Sequence, residues 1–222
     1  MSTLFPYDTS KLLTGRHRIL YAPTTVDVPT RISDVIDVTT PYAPKTGWLD
    51  VGATSAAADY SSAIAKNSLN IQQTTEDVKE QVQTVTRTFA FTAAETSPLI
   101  RQLVEESPGI VTLTAAANKS AEKSIPFGTI NDLSRYRLAI LTMFSKNDRP
   151  VTEPGGTIRG AWAGVIAYQV ELDAQTYSTS FGESEIVAVP ITVKAFPDPT
   201  VTTEGEEFGM FLEEQSGTIS AS

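Results

Sequence analysis

Two stretches of strict alternation stand out along the chain. In the segment 67–73, NSLNIQQ, Leu69 and Ile71 alternate with Ser68, Asn70 and Gln72; in 81–92, QVQTVTRTFAFT, Val85, Phe89 and Phe91 alternate with Thr84, Thr86, Thr88 and Thr92. A period of two places successive side chains on opposite faces of a strand, so both stretches predict strands, with TTEDVKE between them as the connection of a long hairpin. One face of that hairpin is apolar and the other is built from neutral polar side chains. Exposed sheet faces usually mix Lys and Glu among their residues. Two readings of the neutral face therefore stay open: an ordinary solvent-facing surface, or a wall lining an enclosed wet channel.

Further runs fill out a β-rich chain. RHRILYAP (16–23) reads as a strand closed by Pro23, and PTTVDVPTRISDVIDV as short extended pieces broken by proline. GIVTLTA, RYRLAILTMF, AWAGVIAYQVEL and SEIVAVPITVKAF read as later strands, with room for one more short strand in the loop NKSAEKSIPFGTINDLS. Gln175 to Glu185 reads as the connection of a second hairpin. In the last strand Val187, Val189, Ile191 and Val193 share a face, and Pro190, lacking a donor, is expected at a sheet edge or bulge. One helix is predicted in TSPLIRQLVEES: Ser97 is placed to cap it, Pro98 suits its first position, Leu99, Ile100, Leu103 and Val104 form its apolar stripe, and Pro108-Gly109 ends it. The 30 threonines and 17 valines agree with a β-dominated fold.

Charge changes the picture at one place. The 222 residues carry a formal charge of -9, which argues against a protein devoted to gripping phosphate backbones. After Lys194 there is no basic residue, while Asp198, Glu204, Glu206, Glu207, Glu213 and Glu214 follow. A boundary near Pro197 thus divides a β domain over 16–196, preceded by a short arm over 1–15, from an acidic extension over 197–222. Such a tail reads as a solvated, mobile segment. The sharper reading is an arm that docks on a neighbour, because Phe208, Phe211 and Leu212 have the spacing of one helical face.

Candidate chemistry is sparse. There is no cysteine and a single histidine, His17, which removes disulfides, thiolate metal sites and any multi-histidine site; no cofactor or catalytic residue is assigned. Acidic pairs such as Glu105-Glu106 read as surface. EPGGTIRG (153–160) lacks the strand and helix context of a phosphate loop and reads as a hairpin turn. Trp48, Trp162 and Tyr168 are candidates for a sugar-stacking platform in an alternative reading as a carbohydrate-binding or adhesion module, although aromatics in β proteins are mostly core. The first twenty residues lack the apolar centre of a secretory signal. The longest apolar run, AWAGVIAY, is far short of the roughly 20 residues that span a bilayer as a helix.

The stretch GWLDVGATSAAADYSSAIAKNSLNIQQTTEDVKEQVQTVTRTFAFTAAETSPLI, with its W-x-D-x-G-x-T turn, acidic hairpin end and TSP helix start, resembles the N-terminal half of major tail tube proteins of long-tailed, non-contractile bacteriophages. VPITVKAFPDPTVTTEGEEFGMFLEE is similar to that family's last strand and acidic, aromatic extension; together the blocks cover about half of the chain. The resemblance implies a β-sandwich or half-barrel flanked by one helix and carrying a long hairpin. It implies six copies in a ring, rings stacked into a tube, and passage of double-stranded DNA without specific binding. Other tail proteins (tape measure, tail tip and terminator) would be its partners, and it would be assembled in the host bacterial cytoplasm and carried in the virion. On this basis Ser68, Asn70, Gln72, Thr84, Thr86 and Thr88 are candidate lumen residues. Trp48, Leu49, Asp50, Tyr60, Phe208, Phe211 and Leu212 are candidates for contacts between subunits or rings. The neutral inner face departs from the more acidic pattern of the family.

Overall fold

The computed structural model describes residues 17–37, 43–54, 57–70, 77–94, 98–105, 111–115, 120–126, 133–153, 155–173 and 188–218. The chain is mainly β. Its largest element is an antiparallel eight-stranded sheet formed by β1 (His17–Pro23), β2 (Leu49–Asp50), β3 (Asp59–Asn70), β4 (Asp77–Ala93), β7 (Arg135–Met143), β10 (Trp162–Leu172), β11 (Val189–Phe196) and β12 (Gly209–Glu213). The strand order is β2-β1-β7-β10-β11-β4-β3, with β12 added on β10. Two small sheets comprise β5 (Val111–Leu113) with β6 (Glu122–Ser124), and β8 (Pro150–Thr152) with β9 (Ile158–Gly160) and β13 (Gly217–Thr218). Among the described residues there is one α-helix, α1 (Pro98–Val104). By internal contacts the chain forms two compact units: Met1–Gly52 with Arg135–Gln169 and Pro197–Ser222, and Ala53–Ser134 with Val170–Phe196.

In the first unit, β1 and β7 pair from His17↔Thr142 to Pro23↔Tyr136. Alternation then decides what covers the sheet. Leu20 and Ala22 of β1, Ala139 and Leu141 of β7, and Trp162, Ile166 and Tyr168 of β10 form one buried cluster with Ile32, Val35, Ile36 and Trp48. The segment expected to be extended between Pro23 and Asp37 instead contains a 3-10 turn at Ile32–Asp34. Asp34 causes this: its Oδ2 accepts the Thr30 and Arg31 backbone N–H groups at 2.9 and 3.0 Å, satisfying donors that a first turn leaves orphaned. The turn drops Ile32, Val35 and Ile36 onto the sheet.

Gly164 marks a close approach of two strands in this unit. A Cβ there would lie 2.1 Å from the Ile140 carbonyl oxygen and 2.9 Å from Leu141 Cα, both β7 backbone. Gly164→Ala is accordingly expected to cost about 1–3 kcal/mol in urea unfolding by forcing two strands apart. Gly155→Ala, where nothing lies within 4 Å, serves as the control that leaves the midpoint in place.

The same buried face carries a charge. Arg137, 4% exposed, donates to the carbonyls of Val26, Tyr168 and Thr24 at 2.7, 2.9 and 3.2 Å. Its counter-charge is Asp198, 1% exposed, at 2.8 Å. Asp198 also accepts the backbone N–H of Thr200 at 2.9 Å and its hydroxyl at 2.6 Å. The acidic segment therefore begins in the core. Its later part is a strand rather than a helix, with β12 running antiparallel to β10 from Ala163↔Glu213 to Ala167↔Gly209. Spacing by three and four misled here because period two also fits: Met210 and Leu212 pack against the cluster while Phe211 points out, 69% exposed.

In the second unit β11 pairs β4 from Val189↔Ala93 to Lys194↔Thr88. Val189, Ile191 and Val193 are buried opposite Ala93, Phe91 and Phe89, as alternation predicts; Val187 and the connection 175–185 lie outside the described residues. Pro190 lies in an interior strand, not at the expected edge or at a bulge. Residues two apart in a strand direct their backbone polar groups the same way. The Thr192 carbonyl accepts the Asp173 N–H at 2.9 Å, so the Pro190 nitrogen faces the side on which β10 has already ended at Leu172. It interrupts no bond to β4. Helix α1 buries Ile100, Leu103 and Val104, in agreement with the predicted stripe, and Ser97 lies outside the described residues.

Candidate assembly surface

Strand β4 is longer than the partner on one of its sides. Its ladder with β11 stops at Thr88, whereas its ladder with β3 continues from Ser62↔Arg87 to Asn70↔Asp77. At about 3.4 Å per residue this two-stranded ribbon extends roughly 30 Å past the shared sheet. Strand β3 ends the strand order, so among the described residues one of its edges is unpaired. So is one edge of β4 below Thr88.

Register assigns the ribbon's faces. Thr84, Thr86 and Thr88 stand opposite Ala65, Ala63 and Ser61, giving a row of small, neutral side chains. The opposite face pairs Tyr60 with Phe89, Ser62 with Arg87, Ile64 with Val85 and Lys66 with Val82. Phe89 is buried and Tyr60 leans on it, ring centroids 5.1 Å apart at 38°. Toward the tip cover is lost, and Ile64 and Val82 are 59% and 54% exposed.

An irregularity in the backbone register separates the lumen candidates Thr84, Thr86 and Thr88 from Ser68 and Asn70. The register slips by one residue at Gln83, which opposes no residue of β3, the two-against-one arrangement of a β-bulge. Ser68 and Asn70 are in register with Glu80 and Asp77. Gln72 lies outside the described residues. Ser61, Ala63 and Ala65, which precede the strand predicted over 67–73, complete the threonine row. The weak signal for them was the charge-poor composition of YSSAIA, where small residues hide the alternation.

The contact candidates separate in the same way. Trp48 is 3% exposed within the core cluster. Leu49 and Tyr60 keep about two fifths of their surface, 40% and 39%. The Asp50 carboxylate is engaged by Arg18, with Nε at 3.0 Å, and by the Gly52 N–H at 2.9 Å. Phe211 is exposed, Leu212 packs on the core, and the Phe208 carbonyl accepts the Tyr168 N–H at 3.1 Å. Trp162 and Tyr168 are each 2% exposed, so with Trp48 they present no ring face to a sugar.

Remaining carboxylates near cations serve structure. Arg159, 4% exposed, bridges Glu153 at 3.1 Å and Glu214 at 2.6 and 3.0 Å. Burial works against its charge, but the two carboxylates outweigh that and hold its pKa above the ordinary value. EPGGTIRG forms the expected turn between β8 and β9, with Gly156 N–H on the Glu153 carbonyl at 2.8 Å. Among the described residues no group of three or more His, Asp or Glu side chains is gathered for a metal ion, and no helix is long and apolar enough to cross a membrane. Comparison with known proteins finds no matching family model and no matching curated sequence.

Proposed function

We propose that the chain is a structural subunit that assembles with copies of itself through the β3–β4 ribbon, as the major tail tube protein of a long-tailed, non-contractile phage. The observation that carries this reading is the ribbon running past Thr88 with a neutral face, an exposed apolar face and unpaired edges. A two-stranded ribbon is marginal in water on its own, and open edges invite pairing with another chain. Six copies arranged in a ring satisfy both demands, joining ribbons edge to edge into an inner β-barrel within a sandwich or half-barrel type of subunit.

Ile64 and Val82 then pack outward against neighbouring subunits. The row Ser61, Ala63, Ala65, Thr84, Thr86 and Thr88 faces the lumen. Duplex DNA carries a charge about every 1.7 Å, and a wall free of Lys and Arg lets it slide without being held. The carbohydrate-binding reading loses its platform once its three rings are core. Partner tail proteins and a place in the virion follow from the family resemblance.

Negative-stain microscopy of the purified chain, with light scattering, tests the proposal: rings or hollow tubes are expected. Ile64→Lys should abolish them while changing subunit stability by no more than about 0.5 kcal/mol, as exposed substitutions do. A wild-type chain that stays monomeric at every concentration and salt condition tried, and that is absent from virions, overturns it.

A further inference from the structure

The acidic segment after Pro197 is fastened to its own unit at two ends, and the fastenings differ in kind. At the proximal end Asp198 supplies the counter-charge of buried Arg137, whose other partners are three carbonyls. Removing Asp198 would leave a buried cation without its counter-ion, among the costliest changes a core can suffer. The turn that follows is self-bonded: Val201 N–H to the Asp198 carbonyl at 3.1 Å, Asp198 N–H to the Glu207 carbonyl at 2.8 Å, and Gly209 N–H to the Glu206 carbonyl at 3.2 Å.

At the distal end Glu214 clamps Arg159 and accepts the Trp162 N–H at 2.8 Å. Arg159, however, has a second carboxylate, Glu153, and the Gly160 carbonyl at 2.9 Å. If Glu214 leaves, Arg159 keeps a counter-charge. Glu213, paired with Arg149, is 46% exposed, and β13 beyond it is two exposed residues long. A groove of about 260 Å³ runs beside Leu212, Glu213 and Glu214, lined on its other side by Thr30 to Ser33. No residue of β12 is fully buried, whereas four of the seven in β1 are. Segments with few buried side chains open at lower free energy than the core around them.

We propose that residues 210–218 form a strap hinged at the self-bonded turn that Asp198 anchors, which peels from β8 and β10 starting beyond Glu214 while the rest of the unit stays folded. Opening uncovers the backbone edge of Ala163–Ala167 and the sites filled by Met210 and Leu212. Gly209 fits a hinge-proximal position, since its φ of +139° and a would-be Cβ 2.0 Å from the Ile166 carbonyl oxygen allow only glycine when the strap is closed.

Amide hydrogen exchange on the full-length chain tests the strap directly. Peptides covering 209–214 are expected to exchange at least about tenfold faster than those of β1 and β7, with 198–201 protected like the core. Glu214→Gln removes a charge-assisted clamp, and should speed exchange over 209–214 by about tenfold while leaving 198–201 and β1 unchanged. Asp198→Asn should speed both ends together. Equal protection of 209–214 and β1, or a Glu214→Gln variant that loosens 198–201 as much as 209–214, overturns the hinge.

Discussion

Replacing Asp198 with alanine is expected to lower the stability of the folded chain at neutral pH by about 3–5 kcal/mol, read from the shift of a urea or thermal transition. The reason is less the lost contact than what remains. Arg137 stays 4% exposed on the core face of β7 with carbonyl dipoles around it and no carboxylate from residue 198. Changing both partners to apolar residues of similar size, Arg137→Met with Asp198→Leu, should recover most of the loss, because a buried pair often does no better than hydrophobic packing. A loss under about 1 kcal/mol in the single variant would show that water reaches Arg137 and that the pair is not buried as described.

The pair also fixes an acid dependence. Burial by itself pushes the Asp198 carboxyl up, but the donors from Thr200 and Arg137 outweigh it and hold its pKa below the ordinary carboxylate value. A group depressed in the folded state contributes stability that is fully present above its unfolded pKa, about 3.9, and is lost as pH falls through the lower folded value. The wild type should therefore lose stability below about pH 4 more steeply than Asp198→Ala, whose curve lacks that contribution.

Trp48→Ala is the second large expectation, about 3–5 kcal/mol, as for other buried tryptophans. Trp48 packs with Ile32, Val35 and Ile36 over Leu20, Leu141 and Ile166, so truncation opens a cavity where the turn at Ile32–Asp34 meets the sheet. Trp48→Phe retains most of the apolar contact and should lose less than half as much. The contrast with Ile64→Lys is informative: Trp48→Ala should lower the melting transition of the subunit, whereas Ile64→Lys should spare it and act on assembly. A Trp48→Ala chain with wild-type stability and failed assembly would return Trp48 to the contact surface.

These two residues show what was legible and what was not. Strands β1, β7, β10 and β11 announced themselves as apolar runs, β1 and β11 with a proline at the end, and the helix carried its proline and its stripe. Pairing was not legible. Nothing local connects His17 with Thr142 or Arg137 with Asp198, which lie 61 positions apart, because a strand's partner is chosen by the sheet and not by its own sequence. Trp48 was a contact candidate by resemblance; its apolar cover comes from residues distant in sequence, Ile32, Val35 and Ile36 among them. Strand β12 was hidden by acids at its end that pair with Arg149 and Arg159.

The unpaired Gln83 has a last implication, for how the ribbon tolerates change over generations. A deletion or insertion of one residue within a strand normally exchanges its two faces from that point to the tip. At Gln83 the surplus residue is already absorbed in the turn of the backbone. Losing it would leave Val82 facing with Ile64 and Thr84 with the threonines, as they are now. At Gln83, then, the genetic text can be shortened by a codon without the ribbon exchanging its faces.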